Sequence, residues 1–141
     1  MPFVIDASVT AVWALSDEAS DIADSAYRML LSDSAIVPAH WWFEVRNTLI
    51  VNERRKRLSD TETASFLHVL SYLPIGRDLT PNESAVLRMA RAHNLTVYDA
   101  AYLELAERQG IALATLDADL VRAARTAGIA LIEKKEHRKG R

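Results

Sequence analysis

The sequence predicts an α/β fold: one parallel sheet of about five short strands, covered on both faces by about seven helices in a three-layer αβα arrangement. Two observations carry this. Phe3-Val4-Ile5 is an unbroken apolar run ending in Asp6, the pattern of a strand buried on both faces whose last residue meets solvent. Near the other end, Gly110-Ile111-Ala112-Leu113 and Gly128-Ile129-Ala130-Leu131 each follow a helical stretch. Two helix-Gly-strand units in tandem are the local signature of layered α/β structure. At 141 residues, half of them hydrophobic, the chain suits a single domain with a real core.

The elements follow in order. Phe3 to Ile5 forms the first strand, with Ser8 as N-cap of a helix from Val9 to about Ser16. Asp21 to Leu31 carries Ile22, Ala23, Ala26, Tyr27 and Leu30 at helical spacing. Ser34 to Pro38 is a short strand closed by proline. Ala39 to Leu58 reads as a long helix with Trp42, Val45 and Leu49 as its buried stripe and Trp41 at the border. Its end, Arg54-Arg55-Lys56-Arg57, complements the helix dipole. Ser59-Asp60-Thr61-Glu62 opens the next helix with a capping box, and Pro74 follows its end. Ile75 to Leu79 is a weaker strand. Thr80-Pro81-Asn82-Glu83 starts a helix with Thr80 as cap and Pro81 at the first position, ending near His93-Asn94. Thr96 caps a helix from Tyr98 to Gln109. Ile111 to Leu116 is a strand ended by Asp117, Leu120 to Ala127 a helix, and Gly128 to Ile132 the last strand. The folded domain spans 1–132. Residues 133–141 form a basic tail expected to be flexible.

Composition narrows the function classes. There is no cysteine, so no disulfide framework and no thiolate metal site, which fits a reducing cytoplasm. No apolar window is long enough to span a bilayer. Net charge is −2, but Lys134 to Arg141 hold five Lys/Arg and one Glu, +4, leaving −6 on the rest. An acidic body makes sense if its acids surround cations. The glycines lie too far apart for a phosphate loop. His40, His68, His93 and His137 contain no close metal-ligand pair. Trp13, Trp41 and Trp42 read as core or interface. The basic run at Arg54–Arg57 reads as a solvated helix end that could also meet phosphate.

Four acids can be placed at one end of the sheet. Asp6 and Asp117 each follow a strand. Asp99 lies three residues into a helix starting at that rim, and Glu44 in the first turns of the helix after the second strand. In open α/β sheets that end is where ligands bind. Each acid alone has an ordinary explanation as a turn, cap or flank residue. Together they form an all-oxygen donor set, which suits the hard cations Mg²⁺ or Mn²⁺.

The stretches Val4-Ile5-Asp6-Ala7-Ser8, Glu44, Tyr98-Asp99-Ala100-Ala101-Tyr102-Leu103 and Leu113-Ala114-Thr115-Leu116-Asp117, in this order and spacing, resemble the PIN-domain ribonucleases of the VapC toxin kind. The resemblance covers nearly the whole chain to about Ile132. It implies a PIN-like sheet of order 3-2-1-4-5 with a divalent-metal site at its C-terminal edge. It further implies endonucleolytic RNA cleavage, a cognate antitoxin as inhibitory partner, and a homodimer, to which Trp41, Trp42, Phe43, Leu67 and Leu70 would add apolar surface. By position it makes Asp6, Glu44, Asp99 and Asp117 the catalytic, metal-holding quartet. Ser8 and Thr115 become supporting residues, with Asp119 a less definite one that could instead cap the following helix. A phosphatase of the haloacid-dehalogenase kind would need an acid where Ser8 stands, and a receiver domain an acid pair at the first strand. The rival reading is a non-catalytic PIN-like module that binds RNA or protein without cutting.

Overall fold

The computed structural model describes residues 1–133; the basic tail from Lys134 onward lies outside the described residues. Four strands, β1 (Phe3–Ile5), β2 (Ala35–Pro38), β3 (Ile75–Asp78) and β4 (Leu113–Ala114), form one parallel sheet of order β3-β2-β1-β4. The fifth expected strand contracts to one parallel bridge, Leu113 to Leu131, held by Leu113 N–H to Ala130 O and Ile132 N–H to Leu113 O, both 2.9 Å. It lies beside β4, so the expected strand sequence across the sheet holds. Seven helices complete the three layers: α1 (Ala7–Ala14), α2 (Asp21–Met29), α3 (Trp41–Arg54), α4 (Asp60–Leu70), α5 (Glu83–His93), α6 (Val97–Gln109) and α7 (Ala118–Ala127). α1 packs on α2, α3 and α4, while α6 packs on α5, α7 and strands β1 and β2.

β1 is central, and Phe3, Val4 and Ile5 are fully buried, as an unbroken apolar run requires. Its register against β4 pairs Ile5 with Ala114, which sets Asp6 across from Thr115. β4 is shorter than Ile111–Leu116 because its end leaves the ladder: Leu116 N–H donates to Ser8 Oγ at 2.9 Å and Asp117 N–H to Thr115 Oγ1 at 3.0 Å.

Several boundaries shift for identifiable reasons. Asp6, not Ser8, caps α1: its backbone is extended and its Oδ1 accepts from Val9 N–H at 3.1 Å. Asn82 rather than Thr80 caps α5, accepting from Ala85 N–H at 3.0 Å, while its own N–H is anchored on buried Glu104 at 3.1 Å. α3 stops at Arg54 because Lys56 takes a positive φ of 58°, a costly conformation for a non-glycine residue that turns the chain back. α7 begins at Ala118, capped by Asp117. Thr96 caps α6, and Gly110 and Gly128 close α6 and α7 in the left-handed region, where glycine is favoured.

The stripe of α3 is also rotated from expectation. Trp41, Val45, Leu49 and Asn52 face the core, with Trp41 Nε1 donating to buried Thr10 Oγ1 at 3.0 Å. Trp42 lies half exposed beneath the Arg46 guanidinium, 4.0 Å from its ring centre. The 41/45/49 spacing satisfies helical periodicity as well as 42/45/49 does, and the indole N–H selects between them by finding a buried partner.

Candidate active site

α1, α3 and α7 each follow a strand directly and begin at the strands' C-terminal edge, and α6 begins there because it runs straight into β4. Four helix starts therefore converge here, and each carries one acid. Asp6 caps α1, Glu44 lies in the first turn of α3, Asp99 in the first turn of α6, and Asp117 caps α7. The partial positive charge of those helix N-termini offsets part of the cost of gathering carboxylates.

Asp6 is the deepest, 3 % exposed. Its Oδ1 accepts from Ser8 Oγ at 2.6 Å and from Val9 N–H, and its Oδ2 accepts a short bond from the Thr115 hydroxyl. Burial nevertheless wins over these bonds, and with a smaller push from Asp117 it lifts the carboxyl to about 6. Ser8 and Thr115 thus both hold Asp6, lacing β1–α1 to β4–α7. Asp99, half buried, is also raised: chiefly by burial, then by the charges of Asp117 and Glu44, with Asp119 adding a little. Asp117 Oδ1 accepts from the N–H groups of Asp119 and Leu120, both at 3.0 Å. Asp119 is exposed and paired with Arg122 at 2.8 Å; Asp117 takes the capping role, and Asp119 flanks the cluster.

Two residues that sequence reasoning missed complete the site. Tyr102, 1 % exposed, donates its hydroxyl to Glu44 Oε1 at 2.6 Å. Burial and the neighbouring charges of Glu44 and Asp6 hold that phenol well above its ordinary range, so it stays a donor. His40 Nε2 lies 2.9 Å from Tyr98 O and 3.3 Å from the same Glu44 oxygen. The signals were present as spacing: Tyr102 is three residues after Asp99 on one face of α6, and His40 is four before Glu44. His40 has no second histidine at ligand spacing, so it carries no metal signal in the sequence.

The cluster is an all-oxygen donor set in which the charge of Asp117 pushes up both Asp6 and Asp99, and that of Glu44 adds to the push on Asp99, which is the chemistry a hard cation satisfies. Among the described residues no three acids or histidines already stand at coordination spacing; much of the set is meanwhile engaged as helix caps.

The chain matches the PIN domain family over residues 3–126. It is 32% identical over 130 residues to Ribonuclease VapC3 of Pyrobaculum aerophilum, covering 85% of this chain and 92% of that protein. Among solved structures it is similar to PAE2754 from Pyrobaculum aerophilum (TM-score 0.65, 24% identity, 87% of this chain and 84% of that one). It is also similar to FitAcB from Neisseria gonorrhoeae (0.64, 15%, 95% and 98%). A third is VapC20 of Mycobacterium tuberculosis, described as a Sarcin-Ricin loop cleaving toxin (0.58, 14%, 86% and 94%). Below 25% identity these structures speak to the fold, and the fold, the family match and the VapC3 relative agree: this chain belongs to the PIN-domain family.

Proposed function

We propose that this protein is a divalent-metal-dependent endoribonuclease, the toxin of a toxin–antitoxin pair. The observation that carries the reading is the convergence of Asp6, Glu44, Asp99 and Asp117 from four helix starts on one sheet edge, with Asp117 raising the protonation of both Asp6 and Asp99. The name of the VapC3 relative supports the ribonuclease class. Asp6, Asp99 and Asp117, with Glu44, would hold Mg²⁺ or Mn²⁺. Such an ion makes bound water more acidic and offsets charge on the attacked phosphate. Ser8 and Thr115 fix Asp6, so its carboxylate presents one orientation. Tyr102 and His40 both engage Glu44 Oε1, and Glu44 Oε2 accepts no hydrogen bond among the described residues. Oε2 is therefore the atom suited to orient the attacking water and take its proton.

The test is turnover of single-stranded or looped RNA with Mg²⁺ or Mn²⁺ and its loss in excess chelator. RNA bound but never cut would favour a binding module, and full activity in chelator would remove the metal from the mechanism. Tyr102→Phe keeps the ring and deletes the donor to Glu44, and is expected to slow cleavage about tenfold, the worth of one hydrogen bond to a charged group. An unchanged rate constant at saturating RNA would deny Tyr102 a positioning role.

The resemblance to VapC toxins supports an antitoxin partner and a homodimer. Of the five residues expected to supply apolar surface, Trp41 and Leu70 are buried in the core and Leu67 partly so, leaving Trp42 and Phe43 exposed and stacked edge to face at 4.9 Å. Within the described residues no helix is long and apolar enough to cross a membrane.

A further inference from the structure

Beside the acids, a groove of about 450 Å³ runs between α1 and α3. Ser8 and Glu44 line its inner end, so it opens directly from the site, and Arg55 and Arg57 line its outer end. On α3 and its C-cap Arg55, Glu44, Thr48, Val51 and Arg55 follow at spacings of four, three and four residues, a single stripe along one side of the helix. At 1.5 Å rise per residue, Arg55 stands about 16 Å from Glu44 along that stripe.

Most polar groups of the groove are already spent. Thr48 Oγ1 donates to Glu44 O at 3.0 Å, and Asn52 Nδ2 to Thr48 O at 2.8 Å. Arg57 donates to Asn52 Oδ1 at 3.0 Å and is neutralised by Glu18 at 2.8 Å and Asp17 at 3.2 Å. Two groups are not. The Asn47 amide and the Arg55 guanidinium line the groove without a side-chain hydrogen bond or ion pair among the described residues. An uncommitted amide one turn from Glu44 can meet a base edge, and an uncommitted guanidinium can meet a phosphate.

We propose that this groove is the track for the single strand of RNA adjoining the scissile phosphate, with Asn47 on a base and Arg55 on a backbone phosphate. It rests on the ribonuclease reading and deepens it. With about 3.4 Å per stacked nucleotide, the 16 Å stripe spans roughly four to five nucleotides. The charge order, acids at the reacting end and an unpaired cation at the far end, fits a polyanion crossing both. Asn47 and Arg55 set affinity and sequence context rather than the chemical step.

The experiment measures binding of a labelled single-stranded RNA dodecamer of mixed sequence, in MgCl₂, to the cleavage-impaired Asp99→Asn chain across a salt series. Arg55→Gln added to that chain is expected to weaken binding about fivefold and to lower the slope of log K against log salt by ~0.7, the value for one single-strand phosphate contact. Arg54→Gln removes the same charge from a neighbouring position on another face of the helix and should move the slope by less than half as much. Asn47→Ala should weaken binding severalfold with the slope unchanged. A thermal melt of each variant, and Arg55→Ala as a second replacement, guard against loss of folding. Equal slopes for the Arg54 and Arg55 variants, or no change from Arg55→Gln, overturn the proposal; the latter is also what a groove reserved for a protein segment would give. Wild-type turnover of RNA is scored separately: its absence with either metal ion removes the ribonuclease reading, while the salt slopes still decide the groove.

Discussion

Asp99→Asn is expected to lower RNA cleavage on the order of 10²–10³-fold at saturating Mn²⁺, the usual loss when one group that stabilises developing charge is removed. The fold should survive. Asp99 is half exposed in the first turn of α6, and that turn is capped by Thr96, whose Oγ1 accepts the Asp99 N–H at 3.1 Å. Replacing the charge forfeits a favourable helix-dipole interaction of about 0.3–1 kcal/mol. It also relieves the push that Asp117 and Glu44 exert on the carboxylate, so the two effects oppose each other in stability. In the rate they do not oppose: an amide is a neutral, weaker donor for a hard cation. Single-turnover cleavage as a function of Mn²⁺ reads the result. A variant with the full rate at every Mn²⁺ concentration would make Asp99 a helix-start acid with no part in the chemistry.

Much of this site was legible in the sequence because its acids occupy positions that topology dictates. A carboxylate closing an apolar run, as at Asp6 and Asp117, falls at the C-terminal edge of a parallel strand, and a helix that follows must begin there. Glu44 falls in a first turn by the same geometry, and Asp99 because its helix runs straight into the strand that Asp117 closes, whereas the sheet order came only with the family resemblance. Less legible was which neighbouring side chain takes each local job. Ser8 and Asp6 compete for the α1 cap, and Asp6 takes it because its extended backbone lets Oδ1 reach Val9 N–H. Ser8 then turns its hydroxyl to Asp6 and receives Leu116 N–H, a partner 108 residues away. Trp41 displaced Trp42 from the core for a similar reason: its indole meets Thr10, which no local pattern announces. Tyr102 reaches Glu44 across 58 positions. Long-range hydrogen bonds of this kind are invisible to periodicity, although both residues carried the right helical spacing.

Asp6→Asn is expected to stabilise the metal-free protein at neutral pH, and by more than any change at Asp99. A carboxylate held by hydrogen bonds is ordinarily stabilised in its ionised form. Asp6 is so held, by Ser8, Val9 and Thr115, yet burial still raises its carboxyl from 3.8 to about 6. A carboxyl raised on folding favours the folded state most below its unfolded value. That contribution is lost as pH rises from about 4 through 6, because the unfolded chain sheds its proton first. At about 1.4 kcal/mol per pH unit of displacement, ionised Asp6 leaves the folded protein about 3 kcal/mol worse off at pH 7 than at pH 4. Asparagine carries no charge at either pH and still serves as an N-cap. The melting temperature of Asp6→Asn in chelator should therefore match wild type near pH 4 and exceed it at pH 7 by roughly 6–12 °C, taking about 2–4 °C per kcal/mol. Saturating Mn²⁺, binding the folded form alone, should reverse the order by raising wild type more than the variant. Four melts at pH 7, two proteins each in chelator and in Mn²⁺, with a pair at pH 4, contain the answer. A variant that melts lower than wild type at pH 7 in chelator would mean that the hydroxyl bonds to ionised Asp6 outweigh its burial. Equal gains from Mn²⁺ would mean that Asp6 holds no ion.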